Sequence, residues 1–182
     1  MDQAAGALMA DGLASPEARE EALYERLRAL SIAWKTYEHI PVFTVAEADA
    51  VHDSVPGGHT KNLFLKDKKG GLWLIVLRDR LRVDLNALAK QLGAPRFSFG
   101  SAELLIATLG IEPGSVTPFA LMNDTAHVVR PILDEGMLAQ DPLNFHPLRN
   151  DRTSAIAPGD LLSFVRACGH EPIIAALPEI AP

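Results

Sequence analysis

Leucines recur at positions 23, 27 and 30 behind the tripeptide Ser15-Pro16-Glu17. That spacing lays one apolar stripe on a helix opened by a capping hydroxyl, a proline at the first helical position and an acid in the first turn. The period then changes. Residues 32–39 read as a strand, and Thr44-Val45-Ala46-Glu47 has the form of a capping box opening a short helix. Pro56-Gly57-Gly58 marks residues 52–60 as a flexible loop. Residues 61–66 and 72–78 are β-rich runs on either side of Asp67-Lys68-Lys69-Gly70-Gly71, which predicts a hairpin whose second arm is apolar enough to be central. Asp84 caps a helix through residue 92 closed by Gly93, and Ser101 begins another that ends at Gly110. Residues 119–122 and 127–133 predict strands about an Asn123-Asp124 turn. Residues 143–147 and 152–156 predict two short strands, and Asp160 caps a last helix ended by Gly169. No repeat or linker interrupts this order. The pattern predicts a single α+β domain over residues 15–182, built on a mixed, mostly antiparallel sheet, with an Ala/Gly-rich segment 1–14 loosely attached.

Composition narrows the class. A chain of 182 residues with 48% hydrophobic and 22% charged residues fits one globular domain. The longest apolar run, residues 72–77, is too short to cross a bilayer, so no membrane partner is expected. Asp2 and Asp11 without a basic cluster do not make a secretory signal. One cysteine, Cys168, excludes an internal disulfide and suits a reducing cytoplasm, and its place in a predicted helix suggests a buried, inert thiol. The net charge of −6 is unevenly spread: residues 61–96 carry nine Lys/Arg and three Asp/Glu, a local +6, against −12 for the remainder. Such asymmetry can place a basic face on an acidic body and steer a polyanion to it. Solvated lysines on strands and helices give the same count.

Several chemistries are excluded by what the sequence lacks. There is no Gly-x-Ser-x-Gly elbow, no His-x-x-x-His or Cys-x-x-Cys pair, and no Gly-x-Gly-x-x-Gly after a strand. No serine-hydrolase site, metal or dinucleotide cofactor is therefore expected. Gly57-Gly58-His59-Thr60-Lys61 lacks the spacing of a phosphate-binding loop. One stretch stands out. In Gly114-Ser115-Val116-Thr117-Pro118-Phe119, Gly114 and Pro118 fix an exposed loop between a helix and a strand. The amides of Ser115, Val116 and Thr117 can point outward together as donors for a carbonyl or developing oxyanion. An ordinary turn has the same spacing.

Taken with Lys61-Asn62-Leu63-Phe64-Leu65, Asn144-Phe145-His146-Pro147-Leu148 and the ending Arg149-Asn150-Asp151-Arg152-Thr153, this loop resembles the YbaK/prolyl-tRNA-synthetase-associated editing domain family. The likeness is nearest its freestanding branch that deacylates alanine mischarged onto proline tRNA. It implies a sheet curled partly into a barrel, a cytoplasmic hydrolase without cofactors, and the acceptor end of an aminoacylated tRNA as partner, with prolyl-tRNA synthetase a possible second one. It implies that residues 44–47 help frame the pocket and that the vicinal hydroxyl of the terminal ribose helps position the water. Lys61, Asn62 and the backbone of Gly114, Ser115, Val116, Thr117 and Pro118 are then the expected catalytic set. Asn62 can hold the α-amino group or the water, or make a turn hydrogen bond. It alternates with Lys61 across an ideal strand, so both reach one ligand only if that strand starts irregularly. His146, Phe119 and Asn144 are expected to contact the substrate, His146 as a pocket wall or a structural imidazole. Arg96, with Lys66, Lys68 and Lys69, is expected at tRNA phosphates. Arg149, Asp151 and Arg152 read as an ion-pair network. The alternatives are the branch that clears cysteine from proline tRNA, and a silent module that binds acceptor stems or a synthetase.

Overall fold

The structure, a computed structural model, describes residues 12–181; most of the segment expected to be loosely attached, residues 1–11, lies outside the described residues. Helix α1 (Pro16–Ala29) starts where Ser15 accepts a hydrogen bond from the Ala18 amide, and it buries Leu23 and Leu27. The elements that follow are β1 (Lys35–Glu38), α2 (Val45–Ser54), β2 (Gly58–Asp67), β3 (Leu72–Arg78), α3 (Leu85–Gln91), β4 (Phe97–Phe99) and α4 (Ala102–Leu109). After these come β5 (Val129–Asp134), β6 (Leu143–Phe145), β7 (Arg152–Ile156), α5 (Pro158–Ala167) and β8 (Ile173–Ala175). The strands form one α+β sheet in the order β1-β7-β6-β2-β3-β5-β8, with β4 also on β2. Four pairings are antiparallel and three, β2–β6, β3–β5 and β5–β8, are parallel. The sheet is open, with β1 and β8 at its two edges.

Strand β3 is central because both of its faces find apolar cover. Leu74 and Val76 join a core with α1, α4 and α5, while Trp73, Ile75 and Leu77 pack with Leu88 and Ala89 of α3. Strand β2 divides its single long edge between two partners. Its first residues pair with β6 and its last with β4. The hairpin joining β2 to β3 is closed by Asp67, whose carboxylate accepts from the amides of Lys69 and Gly71 and from the indole of Trp73. Those donors hold its pKa below the usual carboxylate value, the Trp73 bond first.

Several expected elements shift. Residues 52–60 are not a loop: α2 runs to Ser54 and β2 begins at Gly58. Residues 119–122 are not a strand but lie within a 3-10 turn, Pro118–Asn123, entered through Thr117, whose hydroxyl accepts from the Phe119 amide. A proline preceded by a short capping side chain favours that turn over extended backbone. Asp160 sits inside the first turn of α5, whose flanking residue is Ala157, so it complements the helix dipole without capping it. Residues 32–34 precede β1, and β8 was not foreseen. Cys168 follows α5 half-buried, with its thiol pKa raised by burial.

Asp67→Ala should lower stability by about 1–3 kcal/mol, because it strands the buried Trp73 indole N–H and two turn amides. Urea unfolding checks this; an unchanged midpoint would show that the hairpin does not depend on Asp67.

Candidate functional site

The site forms where β6 meets the start of β2. The two strands share only a short parallel register, Gly58 opposite Leu143 and His59 opposite Asn144. Side chains reinforce it. Asn144 Nδ2 donates to the carbonyls of Pro56 (3.0 Å) and Gly58 (3.2 Å), and the Thr60 hydroxyl donates to the Asn144 carbonyl (2.7 Å). Gly57 has φ +109°, and a Cβ there would lie 2.6 Å from the Pro142 carbonyl oxygen. Glycine is needed here for close approach as much as for its backbone angle.

Behind this seam is a cavity of about 120 Å³ lined by His39, His52, His59, His146, Asn62, Asn144, Thr60 and Thr153, with Val42, Ala48, Val51 and Phe145 as apolar wall. It is small beside ligand sites of roughly 300–1,000 Å³. Three of the histidines have their tautomer fixed by a backbone carbonyl, which can only accept. His39 Nδ1 donates to Ile40, His59 Nε2 to Val55 and His146 Nδ1 to Arg152. In the neutral rings the other nitrogens are then acceptors. That of His39 receives the Thr153 hydroxyl at 2.9 Å. His52 stacks on His59 with ring centroids 4.0 Å apart and places Nδ1 3.2 Å from Asp79. Burial lowers the pKa of His146 against the pull of the Arg152 carbonyl, and burial followed by the nearby His59 lowers that of His52 against Asp79. Two buried acceptors, Asn62 Oδ1 and Asn144 Oδ1, have no hydrogen-bond partner.

Asn62 also lines a second, more open hollow, together with Phe64, Phe99, Ser101, Gly114 and Val116. The Gly114 segment reaches it from α4 under firm control. Gly110 ends the helix with φ 65°, Ile111 is buried, and Glu112 forms a two-pronged ion pair with Arg19 of α1. That bond holds the Glu112 pKa below the usual range. Gly114, at φ 91°, turns the chain so that the Ser115 amide donates to the Glu112 carbonyl at 3.2 Å.

The predicted residues are thus only partly brought together. Asn62, Asn144 and His146 meet in the cavity. Gly114 and Val116 stand across Asn62 from it. The loop is less exposed than expected: Ser115, Thr117 and Pro118 are buried, and the Ser115 amide is already engaged. Phe119 is completely buried between Phe145 and Phe164, so it backs the cavity wall and does not reach a ligand. Lys61 lines neither hollow. Strand β2 pairs regularly through Thr60, Lys61 and Asn62, which turns Lys61 to the face opposite Asn62. Burial lowers its pKa, opposed by Asp79. Lys66, Lys68, Lys69 and Arg96 are exposed near the hairpin, where the Lys68 amide donates to the Arg96 carbonyl. At about 3.3 Å per residue, Lys68 is roughly 20 Å along β2 from Asn62. Arg149, Asp151 and Arg152 form the expected network, with Glu20 and Glu17 of α1 and with Glu38.

Sequence reasoning missed His39, His52, His59, Thr60 and Thr153. Four of the six histidines line this one cavity, but they come from four separate elements or joints, and two were hidden in the presumed loop. Among the described residues no group of three His, Cys, Asp or Glu side chains is placed to hold a metal, and no helix is long and apolar enough to cross a membrane.

Residues 39–164 match the family model described as aminoacyl-tRNA editing domain. The Bos taurus protein named prolyl-tRNA synthetase associated domain-containing protein 1 is 42% identical over 159 residues, covering 84% of this chain and 92% of the relative. The prolyl-tRNA editing protein ProX of Acetoanaerobium sticklandii is 30% identical over 152 residues, covering 83% and 93%. A crystal structure of a candidate trans-editing enzyme for prolyl tRNA synthetase superposes with a TM-score of 0.69 at 20% identity, covering 89% of this chain and 98% of that one, a likeness of fold.

The partly buried histidines make stability pH-dependent with a definite sign. A depressed folded pKa means that the unfolded chain binds more protons, so the contribution of His52 and His146 is complete above about 6.5 and declines as pH falls toward their folded values. Glu20, raised by burial, opposes this only nearer its own lower range, and the depressed carboxylates act lower still. Thermal midpoints should fall between about pH 7 and 5.5, and the double variant His52→Gln/His146→Gln should flatten that slope. An identical slope in the double variant would remove these rings from the effect.

Proposed function

The chain belongs to the aminoacyl-tRNA editing domain family, and we propose that it is a trans-editing hydrolase that removes alanine from mischarged proline tRNA. The observation that carries this reading is the position of Asn62, which lines both the histidine-lined cavity and the more open hollow at Gly114 and Val116. An amino acid seated in the cavity would hold its ester carbonyl beside Asn62, with the ribose leading out past Gly114. Among the described residues the Val116 amide has no backbone acceptor and Val116 lines the open hollow, whereas Thr117 is fully buried, so the proposed oxyanion donor narrows to the Val116 amide. Removing one such donor typically costs roughly 3–4 kcal/mol of transition-state stabilisation.

The ester is already activated, so the reaction needs positioning more than a strong base. A water oxygen bonds to the carbonyl carbon, the bond to the ribose oxygen breaks, and the proton lost by water ends on that leaving oxygen. By family resemblance the vicinal ribose hydroxyl orients the water. His146 and Asn144 are the proposed wall and anchor for the amino acid. Lys61, on the other face of β2, is assigned to a terminal phosphate, and Lys66, Lys68, Lys69 and Arg96 to more distant ones. The names of the relatives, one a prolyl-tRNA editing protein and one a prolyl-tRNA synthetase associated domain-containing protein, support proline tRNA as the carrier and the synthetase as a partner.

The small cavity supports selection by size. A synthetase site built for proline rejects alanine weakly, since a missing methylene is worth only about 1–3 kcal/mol, and an editing site works by the opposite rule. Initial rates at equal concentration should therefore be high for alanyl-proline tRNA, low for prolyl-proline tRNA and reduced for alanyl-alanine tRNA. Faster hydrolysis of cysteinyl-proline tRNA would assign the protein to the cysteine branch, and stability of all these esters would leave only a binding module.

The phosphate assignment has its own signature. Lys61→Ala should raise KM more than it lowers kcat and should flatten the dependence of KM on salt, because one charge contact with the polyanion is lost. A fall in kcat alone would place Lys61 at the reacting ester, and an unchanged KM with an unchanged salt slope would separate it from the RNA.

A further inference from the structure

We propose that Phe99 is a stacking platform for the terminal base of the bound RNA, so that the open hollow recognises a nucleobase by its face and not by its edge. This rests on the deacylase reading and adds to it a subsite for the base. Phe99 is the last residue of β4 and is 66% exposed, and it lines the hollow beside Phe64, Leu105 and Val116. A large ring left in water at the rim of a site gains by being covered. Phe43 is also exposed, at 77%, but it lines neither the hollow nor the cavity. The chain around Phe99 is held firmly. The Gly100 amide donates to the Phe64 carbonyl at 3.0 Å, and a Cβ on Gly100 would lie 2.5 Å from the Phe64 ring. Ser101 then caps α4 by accepting from the Leu104 amide.

The lining selects the ligand. Leu63, Phe64, Phe99, Leu105, Pro113 and Val116 are apolar, and among the described residues that line the hollow none is charged. A phosphate finds no cation there. The edge of a base finds only two polar side chains, Asn62 at the cavity end and Ser101, whose oxygen caps α4. What remains is a surface for a flat apolar face, which every base has. The position agrees with this. Phe99 pairs with Leu65, three residues beyond Asn62, so it lies about 10 Å along β2 from Asn62. A nucleoside whose ester carbonyl sits beside Asn62 carries its base one sugar ring away, on the scale of that span.

The test uses adenosine with alanine amide-linked at its 3′ carbon, inert to ester hydrolysis, beside its guanosine counterpart and a form whose ribose lacks a base. By titration calorimetry the two purine forms should bind within about threefold of each other and the baseless form at least about tenfold more weakly, the pattern of a stack that reads no edge. In Phe99→Ala, whose fold is checked by circular dichroism, that gap should close. Phe99→Tyr keeps a ring and should keep the gap, and so should Phe43→Ala. A gap that survives in Phe99→Ala, a strong preference for one purine, or binding of no form overturns the inference. With alanyl-proline tRNA, Phe99→Ala should raise KM about tenfold and leave kcat nearly unchanged. An unchanged KM would refute the platform and leave the deacylase reading intact. A retained binding gap without hydrolysis would do the reverse.

Discussion

The clamp made by Asn144 is the interaction on which the rest of the site depends. The register between β6 and β2 spans two residue pairs, too few for backbone bonds alone to define an angle between strands. One side-chain amide holding two carbonyls, and one threonine hydroxyl holding a third, convert that short contact into a fixed joint. The β1-β7-β6 part of the sheet hangs on it, and with that part come His146, Thr153 and His39. The other wall comes from α2, placed by the Thr44–Glu47 capping box, with Val51 and His52 facing in. The same clamp leaves the Asn144 oxygen unsatisfied.

The opposite hollow depends on a different tie. The Gly114 segment is fixed from below by Arg19, buried in α1, through its pairing with Glu112. A buried arginine with one acidic partner is a constraint on position more than a source of net stability. Charges elsewhere are also less free than their count suggests. Arg78 is paired with Asp134, and Arg80 with Asp49 and Asp79. Of the exposed basic residues that remain, Lys66, Lys68, Lys69 and Arg96 sit about the β2–β3 hairpin, away from the cavity, while Lys35, Arg82 and Lys90 lie elsewhere in the chain. This separation suits a long polyanion whose reactive end lies in one place and whose phosphates extend to another.

Much of this was legible in the sequence, and the failures have physical causes. The Ser15 and Thr44 caps, the Leu72–Arg78 strand and the Gly110 stop are local signals, and the structure contains each of them. Gly57-Gly58 reads as a flexible loop because the sequence does not reveal that another strand must pass within contact of its backbone. Residues 119–122 are apolar whether extended or turned, so periodicity does not separate the two, and the Thr117-Pro118 start is the local signal for the turn. The alternation of Lys61 and Asn62 was readable, and a regular β2 keeps them apart. The histidine cluster was not readable, because its members lie up to 107 positions apart, from His39 to His146, and meet only through sheet order.

The central claim is that the amino acid enters the histidine–asparagine cavity while the nucleoside lies along the Gly114 side. A crystal structure with bound adenosine carrying a 3′-amide-linked alanyl group, which cannot be hydrolysed as an ester, tests it most directly. The account predicts the alanyl methyl in the cavity against Val51, Phe145 and His146, with the ligand carbonyl turned toward the Val116 amide. An alanyl group lodged instead beside Phe99 and Ser101, with the cavity left to the ribose or to solvent, would contradict it.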